Sequence, residues 1–451
     1  MTKDRIAQSS VGVIAAGIFL RVFLFTFKWD TFFHNRQELI TPLNSIERLQ
    51  EGLFLANTGL NPYAGDVFHQ PPLLLLMAMT AQTISSALSV RFLICFCSIV
   101  LDVVIAFGFG QLCREFIQSQ RVQQSENSRM WLNHPPLSPL LQPDYLPVTV
   151  VGFYLFNPHS LATSLAFSTS LLTYATTVWS LVFAMKSKVM ILFKLLTKSA
   201  FIGHLALAIF LLSIATYLNV YPCILLPALI LMAYPTKPIS YMKWLISGVL
   251  FLGYVALFLY LSHVAMGNWN FLHDTYLWIV QYPDLTPNIG LFWYFFTELF
   301  DRFRNYFLFI LHIHPFLYVV PIYIRLRYIN PSQSRTRPLA AVSTLLGIFA
   351  VFQAYPSFGD FGFFITSCLL HPRSIIGMQQ KFIMMTGIAV ATVLLPTMWY
   401  LWLYPGSGNS NFFYNQTLVY QLFVVKITTE FLTATLRRDK QLQEFWKTKE
   451  D

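Results

Sequence analysis

Apolar runs recur along the chain from Val11 to Phe431, each set off from the next by a short polar or basic segment. Crossing the hydrocarbon core of a bilayer takes about 20 mostly apolar helical residues. Inside lipid the backbone must satisfy its own hydrogen bonds, so runs of this length predict helices. The short alternating segments of a membrane barrel are not present in the sequence. The pattern predicts an all-α, polytopic transmembrane helical bundle forming one domain over residues 1–451, with spans near 10–27, 90–111, 145–157, 160–185, 199–216, 219–235, 242–263, 304–326, 338–355, 358–371, 380–404 and 411–436, about twelve in all. The run from Pro72 to Ser86 is too short to cross and reads as a half-inserted helix.

Charge orients these spans. Basic residues cluster in alternate connections, as Lys186, Lys188, Lys194 and Lys198, as Arg325, Arg327, Arg335 and Arg337, and as Arg437, Arg438 and Lys440. The positive-inside rule assigns such clusters to the cytosol. The loop at about 112–144 and the tail 437–451 share that face, so both termini are expected to be cytosolic. The lumenal face then receives about 28–89, 264–303, the 355–360 turn and 405–410, where Glu38, Glu47, Glu51, Asp66, Asp274, Asp284 and Glu298 match or outnumber the bases. The Ser/Gln/Asn- and proline-rich stretch 116–144 is expected to carry little order. Arg21 within the first run, and no small-residue cleavage site after it, predict a retained span rather than a signal peptide.

Composition adds exclusions. The chain is 55% hydrophobic and 11% charged, against roughly 25% charged residues in a soluble domain. Its net charge of +10 sits in loop clusters, which speaks against nucleic acid as a partner. Cys95, Cys97, Cys113, Cys223 and Cys368 lie in or beside apolar runs without zinc-ligand spacing, and they predict neither a metal site nor a disulfide framework.

Candidate chemistry is sparse. Asp66, beside His69 in the loop Asn61-Pro62-Tyr63-Ala64-Gly65-Asp66, is placed to act as a base on an acceptor hydroxyl. No second acid stands at metal-binding spacing from it, and a solvated or helix-capping Asp66 in a tight turn explains the same residues. Asp102 within a span requires either a polar partner or a function. His312 and His314, two apart, are separated by about 200° on a helix and cannot share a ligand. No cofactor motif, P-loop or nucleophile constellation is found in the sequence.

Two regions are more distinctive. Pro287 to Gly290 reads as a turn leading into the aromatic run Leu291-Phe292-Trp293-Tyr294-Phe295-Phe296, which suits a helix at the headgroup level. Between the last two spans, Gly406 to Tyr414 is uncharged but dense in amides and hydroxyls. Its Asn409, Ser410 and Asn411 are suited to bonding sugar hydroxyls or phosphate oxygens. Asn411 capping the following helix is the structural alternative. The Asn415-Gln416-Thr417 sequon falls inside a predicted span, and Lys447 and Lys449 fit a dilysine retrieval signal for the endoplasmic reticulum.

The ten residues Pro287–Phe296, the segment Trp399–Trp402, Ser407–Tyr414, Pro62-Tyr63 with Val67-Phe68-His69, and Ala215-Thr216-Tyr217 with Tyr221-Pro222 resemble the PIG-U family of GPI transamidase subunits, in order across about Pro42 to Arg438. The resemblance implies a glycosyltransferase-C-like membrane fold without transfer chemistry and without a cofactor. It also implies residence in the endoplasmic reticulum membrane among its phospholipids, and partnership with other transamidase subunits, including a caspase-like one that carries the catalytic cysteine. The implied role is to bind the GPI lipid and present it for attachment to proprotein C-termini. Carried over by motif, Asn409 and Asn411, with Ser410 between them, contact the GPI headgroup, while Phe412, Phe413, Asn288, Trp293 and Phe296 are candidates for contacting its lipid. The family's acid after the Phe-His pair is Gln70 here, and 116–144 and the tail beyond Arg438 depart from the family pattern. The alternative is an active mannosyltransferase of the GPI or dolichol pathway with Asp66 as base.

Overall fold

The computed structural model describes residues 2–84, 89–122, 137–192, 198–234, 239–327 and 337–450, and every regular element among them is a helix. The helix Val90–Val122 packs against Leu146–Phe156 and Ser170–Leu192, and the latter against Lys198–Leu218, which carries Tyr241–Met266 on its outer side. Ile105, Phe109, Val178, Leu212, Leu229 and Leu345 fill the core of this half. In the second half Ser410–Glu450 packs against Pro338–Phe352, Pro372–Gly377 and Lys381–Leu403, around Phe364, Leu395, Phe413 and Phe431. Leu346 touches both cores and joins the halves.

Lipid tails are as apolar as leucine, so helices in a bilayer associate through close packing rather than hydrophobic burial, and small residues permit it. Gly387 lies so close to Phe423 that a β-carbon there would strike the ring, and one at Gly347 would strike Thr428 and Phe364.

Four helical stretches, Val90–Gln120, Tyr241–Met266, Asp301–Leu326 and Lys381–Leu403, are long and apolar enough to cross a membrane, and shorter apolar helices accompany them. The chain is thus a multi-pass membrane protein. The sequence pattern and the structure differ in three places. The expected span 160–185 is two helices, Pro158–Leu165 and Ser170–Leu192. Phe167 takes a left-handed conformation and stacks on Phe25, while the Thr169 N–H leaves the helix to bond the Asn44 carbonyl. The expected loop 112–144 begins as helix, because Val90–Val122 continues past its apolar run, and Pro139–Leu141 forms a 3-10 turn; residues 123–136 lie outside the described residues. Ser410–Glu450 likewise runs on for 41 residues, about 60 Å at 1.5 Å per residue, twice the hydrocarbon thickness of about 30 Å. The Pro72–Ile84 helix is 13 residues long, too short to cross.

Asp102 finds its partner in the first helix. Arg21 Nε donates to Asp102 Oδ2 at 2.6 Å, and the Tyr154 hydroxyl donates to Oδ1 at 3.0 Å. Arg21 Nη1 reaches the carbonyls of Gly17 and Leu155, and both charged side chains are fully buried. Asp102 thus has the polar partner that its place in a span requires, and its carboxylate staples Thr2–Thr26 to Val90–Val122 and Leu146–Phe156.

The connections gather at two ends. At one, Arg337 pairs with Asp439 at 2.6 Å, and Thr435 donates to Ser374 at 2.9 Å. At the other, the Phe358 N–H bonds the Glu38 carbonyl and the Tyr276 hydroxyl bonds the Tyr217 carbonyl, and the aromatic loops meet there.

Candidate functional site

Asn409 ends the turn after Lys381–Leu403, and its side-chain oxygen accepts the Phe412 N–H at 3.0 Å. Asn409, not Asn411, is therefore the cap of Ser410–Glu450. Satisfying a first-turn N–H in this way is what favours asparagine at a helix start. Asn411 stays exposed, and its Oδ1 accepts the hydroxyl of Tyr294 from the aromatic run. The amide NH2 groups of Asn409 and Asn411 meet no acceptor among the described residues.

The aromatic run forms the expected helix, Phe292–Glu298, after a turn closed by Asn288. Asn288 Oδ1 accepts the Gly290 N–H at 2.7 Å, and its amide donates to the Tyr282 hydroxyl and the Thr286 carbonyl. The helix is clasped to the start of Ser410–Glu450. Tyr294 and Tyr414 stack at 4.4 Å, the Tyr414 hydroxyl donates to the Leu291 carbonyl, and Gln421 donates to the Ile289 carbonyl at 2.7 Å. Phe413 is buried among Trp293, Trp399 and Trp402.

The site residues expected from the sequence thus divide. Asn409, Asn411 and Phe412 are exposed and Ser410 half-buried, all on one rim. Phe413, Asn288, Trp293 and Phe296 are buried with protein partners and shape that rim from behind. The buried Trp293 indole N–H has no acceptor among the described residues. Tyr294 and Tyr414 were not singled out from sequence. Their only signal was membership of the two aromatic segments, and nothing in either segment pairs them across 120 positions.

A second set of contacts fixes the rim. Arg48 pairs with Asp284 at 2.9 Å, joining Ile46–Asn57 to the loop before Asn288. Burial works against ionising Asp284, but hydrogen bonds from Thr286 and Arg48 outweigh it and hold the carboxyl below its usual range. A stack of rings runs from His69 to Trp278 (3.9 Å), Tyr355 (5.3 Å), Tyr282 (4.5 Å) and Phe292 (5.2 Å).

Asp66 stands at the head of that stack, 85% exposed and 3.4 Å from both His69 Nε2 and Trp278 Nε1. His69 Nδ1 is bonded to the Asp274 carbonyl at 2.8 Å. Asp66 caps no helix, since the next begins at Pro72. His312 and His314 go separate ways, to the Val280 carbonyl and the Tyr318 hydroxyl. Asn415 and Thr417 lie within Ser410–Glu450, Thr417 buried.

A family profile described as GPI transamidase subunit PIG-U matches residues 15–420. The chain belongs to the PIG-U family. The GPI-anchor transamidase component PIGU of Homo sapiens is 28% identical over 451 residues, covering 97% of this chain and 95% of its own length. The GPI transamidase component GAB1 homolog of Schizosaccharomyces pombe is 29% identical over 95% of this chain and 94% of its own. The GPI transamidase component GAB1 of Saccharomyces cerevisiae is 28% identical over 89% and 87%. All three names describe components of the transamidase, and the mannosyltransferase alternative finds no support in them.

Proposed function

We propose that this PIG-U family chain is a non-catalytic subunit of GPI transamidase, resident in the endoplasmic reticulum membrane with both termini cytosolic. It binds the GPI lipid at the Asn409–Asn411 rim on the lumenal face and presents it to a caspase-like partner that supplies the cysteine nucleophile. About twelve crossings in a glycosyltransferase-C-like arrangement belong to the same reading.

One observation carries it. The 41-residue helix Ser410–Glu450 begins at an exposed, uncharged rim where the Asn409 and Asn411 amides remain free to donate. A helix N-terminus attracts anions through its unpaired N–H groups and macrodipole. An ethanolamine phosphate presented there meets two side-chain amides and the Ser410 and Asn411 N–H groups together, the Phe412 N–H being held by Asn409. Glu298, exposed one turn beyond Tyr294, offers a carboxylate to the ammonium end. Phe412, exposed beside the amides, faces the acyl region.

The test compares Asn409→Ala with Asn411→Ala against Asp66→Asn in cells that lack the endogenous chain. GPI attachment to a reporter is expected to fall at least tenfold in the double variant, with the complex still assembled, and to persist in Asp66→Asn. Intact attachment in the double variant would remove the headgroup role and leave a scaffold.

A further inference from the structure

Between the two halves of the bundle, at the aromatic end, lies a cleft that the rim does not use. Its outer part is walled by Thr41, Asn44, Ser170, Tyr355 and Ser357. Its inner part is walled by Ile224, Leu345, Phe349 and Phe363. The two parts share Thr173, Asn219, Tyr221, Gln353 and Asp360, so they form one cleft with a polar mouth and an apolar floor.

Its polar groups have a definite character. Among the described residues lining either part there is no lysine, arginine or histidine, and Asp360 is the single carboxylate. Asp360 is held by neutral donors. Tyr174 donates to Oδ1 at 2.8 Å, while Gln353 (2.5 Å), the Ser357 N–H (2.8 Å) and the Ser357 hydroxyl (3.0 Å) converge on Oδ2. In the inner wall the Thr177 hydroxyl is buried and has no partner among the described residues. Leaving a buried hydroxyl unpaired is costly, and a group aimed into a cleft is relieved by a ligand.

These features select a ligand. A phosphate finds no cation among the described residues here and meets the Asp360 carboxyl instead. A purely apolar ligand would strip water from the mouth's hydroxyls and amides without replacing its hydrogen bonds. A sugar ring carries hydroxyls that both donate and accept, matching Ser, Thr, Asn and Tyr groups, and a C–H face that packs on aromatic rings. Tyr221 supplies such a ring in the mouth, while the Tyr355 ring is already stacked between Trp278 and Tyr282. An amine on the ring would gain from Asp360.

We infer that the cleft around Asp360 is a saccharide site, taking one uncharged or ammonium-bearing sugar residue and rejecting phosphorylated ones. Tyr355 lines its mouth and also stacks on Trp278 and Tyr282, so the cleft and the aromatic helix share a wall. The inference rests on the proposed function only in assigning the sugar to a glycolipid; sugar binding itself is tested directly.

The experiment is saturation-transfer NMR on the purified full chain in micelles, with glucosamine, glucose and glucose 6-phosphate as probes. Transfer to the first two and not to the third is expected. Thr177→Val, which removes only the unpaired hydroxyl, is expected to cut that transfer at least threefold without lowering the melting temperature. No transfer to any sugar, a preference for the phosphate, or indifference to Thr177→Val would overturn the site. In nanodiscs, stronger transfer to a glucosaminyl lipid than to a free protein-derived oligosaccharide supports a lipid-linked source, and the reverse order overturns it. Asn409→Ala with Asn411→Ala leaves free-sugar transfer intact if the cleft is a site of its own. Failure of the rim and failure of the cleft are thereby distinguishable.

Discussion

The Tyr294 hydroxyl donates a hydrogen bond to the side-chain carbonyl of Asn411, 117 positions later in the chain, and the rings of Tyr294 and Tyr414 stack behind that bond. The bond fixes the orientation of the Asn411 amide: with its oxygen committed to Tyr294, its NH2 faces outward as a donor. Tyr294→Phe frees the amide to rotate. A hydrogen bond of this kind contributes about 0.5–1.5 kcal/mol, so GPI attachment is expected to fall by roughly two- to tenfold. Asn411→Ala is expected to cost more, and adding Tyr294→Phe to it little further. A flow-cytometric reporter reads this series, and full additivity of the two changes would deny the coupling.

The Arg21–Asp102 pair has a different signature. Both side chains are fully buried and tie three helices together. Removing one partner of such a pair leaves an uncompensated charge, at a cost of about 3–5 kcal/mol. Arg21→Met or Asp102→Leu alone is expected to lower the steady-state level and the melting temperature in detergent sharply. The double variant is expected to regain most of the loss, because neither charge is then stranded. A double variant as unstable as either single would show that the pair is not the relevant interaction.

Helix contact at Gly387 is equally specific. Gly387→Val drives a side chain into the Phe423 ring, whereas Gly253 has open space around it. Overpacking of this kind costs about 1–3 kcal/mol. A lowered melting temperature is expected for Gly387→Val and a near-wild-type value for Gly253→Ala. Equal behaviour of the two would mean that the helices Lys381–Leu403 and Ser410–Glu450 yield at no cost.

Acidity bears on Glu38. Burial, opposed in part by a backbone hydrogen bond and by Arg36, raises its carboxyl above the ordinary 4.5, and its Oε1 has no partner among the described residues. The folded state therefore holds the proton more tightly than the unfolded one. The stability that this proton confers is fully present below about 4.5, the unfolded value, and is lost as pH rises through the raised folded value. Glu38→Gln is expected to stabilise the chain at neutral pH and to flatten that part of the pH profile of melting temperature. A destabilised Gln variant at pH 7 would contradict the upward shift.

What the sequence made legible follows from where the information is local. Apolar runs announced the helices because a span must be apolar over its own length. The Pro287–Gly290 turn announced itself because Asn288 bonds only two residues ahead, to Gly290. The break at Phe167 was hidden, since a backbone bond from Thr169 to Asn44 competes there with the helix. Asn411 as cap was one of two open readings and Asn409 makes the cap instead; two asparagines two positions apart present the same chemistry until one of them is claimed by a distant tyrosine. Asp102 showed that a partner was needed, but not that Arg21, 81 positions earlier, would be it. The Asp360 cleft left no sequence mark, because its walls come from segments spread between Thr41 and Phe363.

The most direct measurement of the central claim is the lipid and protein profile of cells depleted of this chain. A transfer subunit predicts complete, ethanolamine-phosphate-bearing GPI accumulating beside uncleaved proproteins. A truncated GPI lacking a mannose would place the defect in lipid assembly and contradict it.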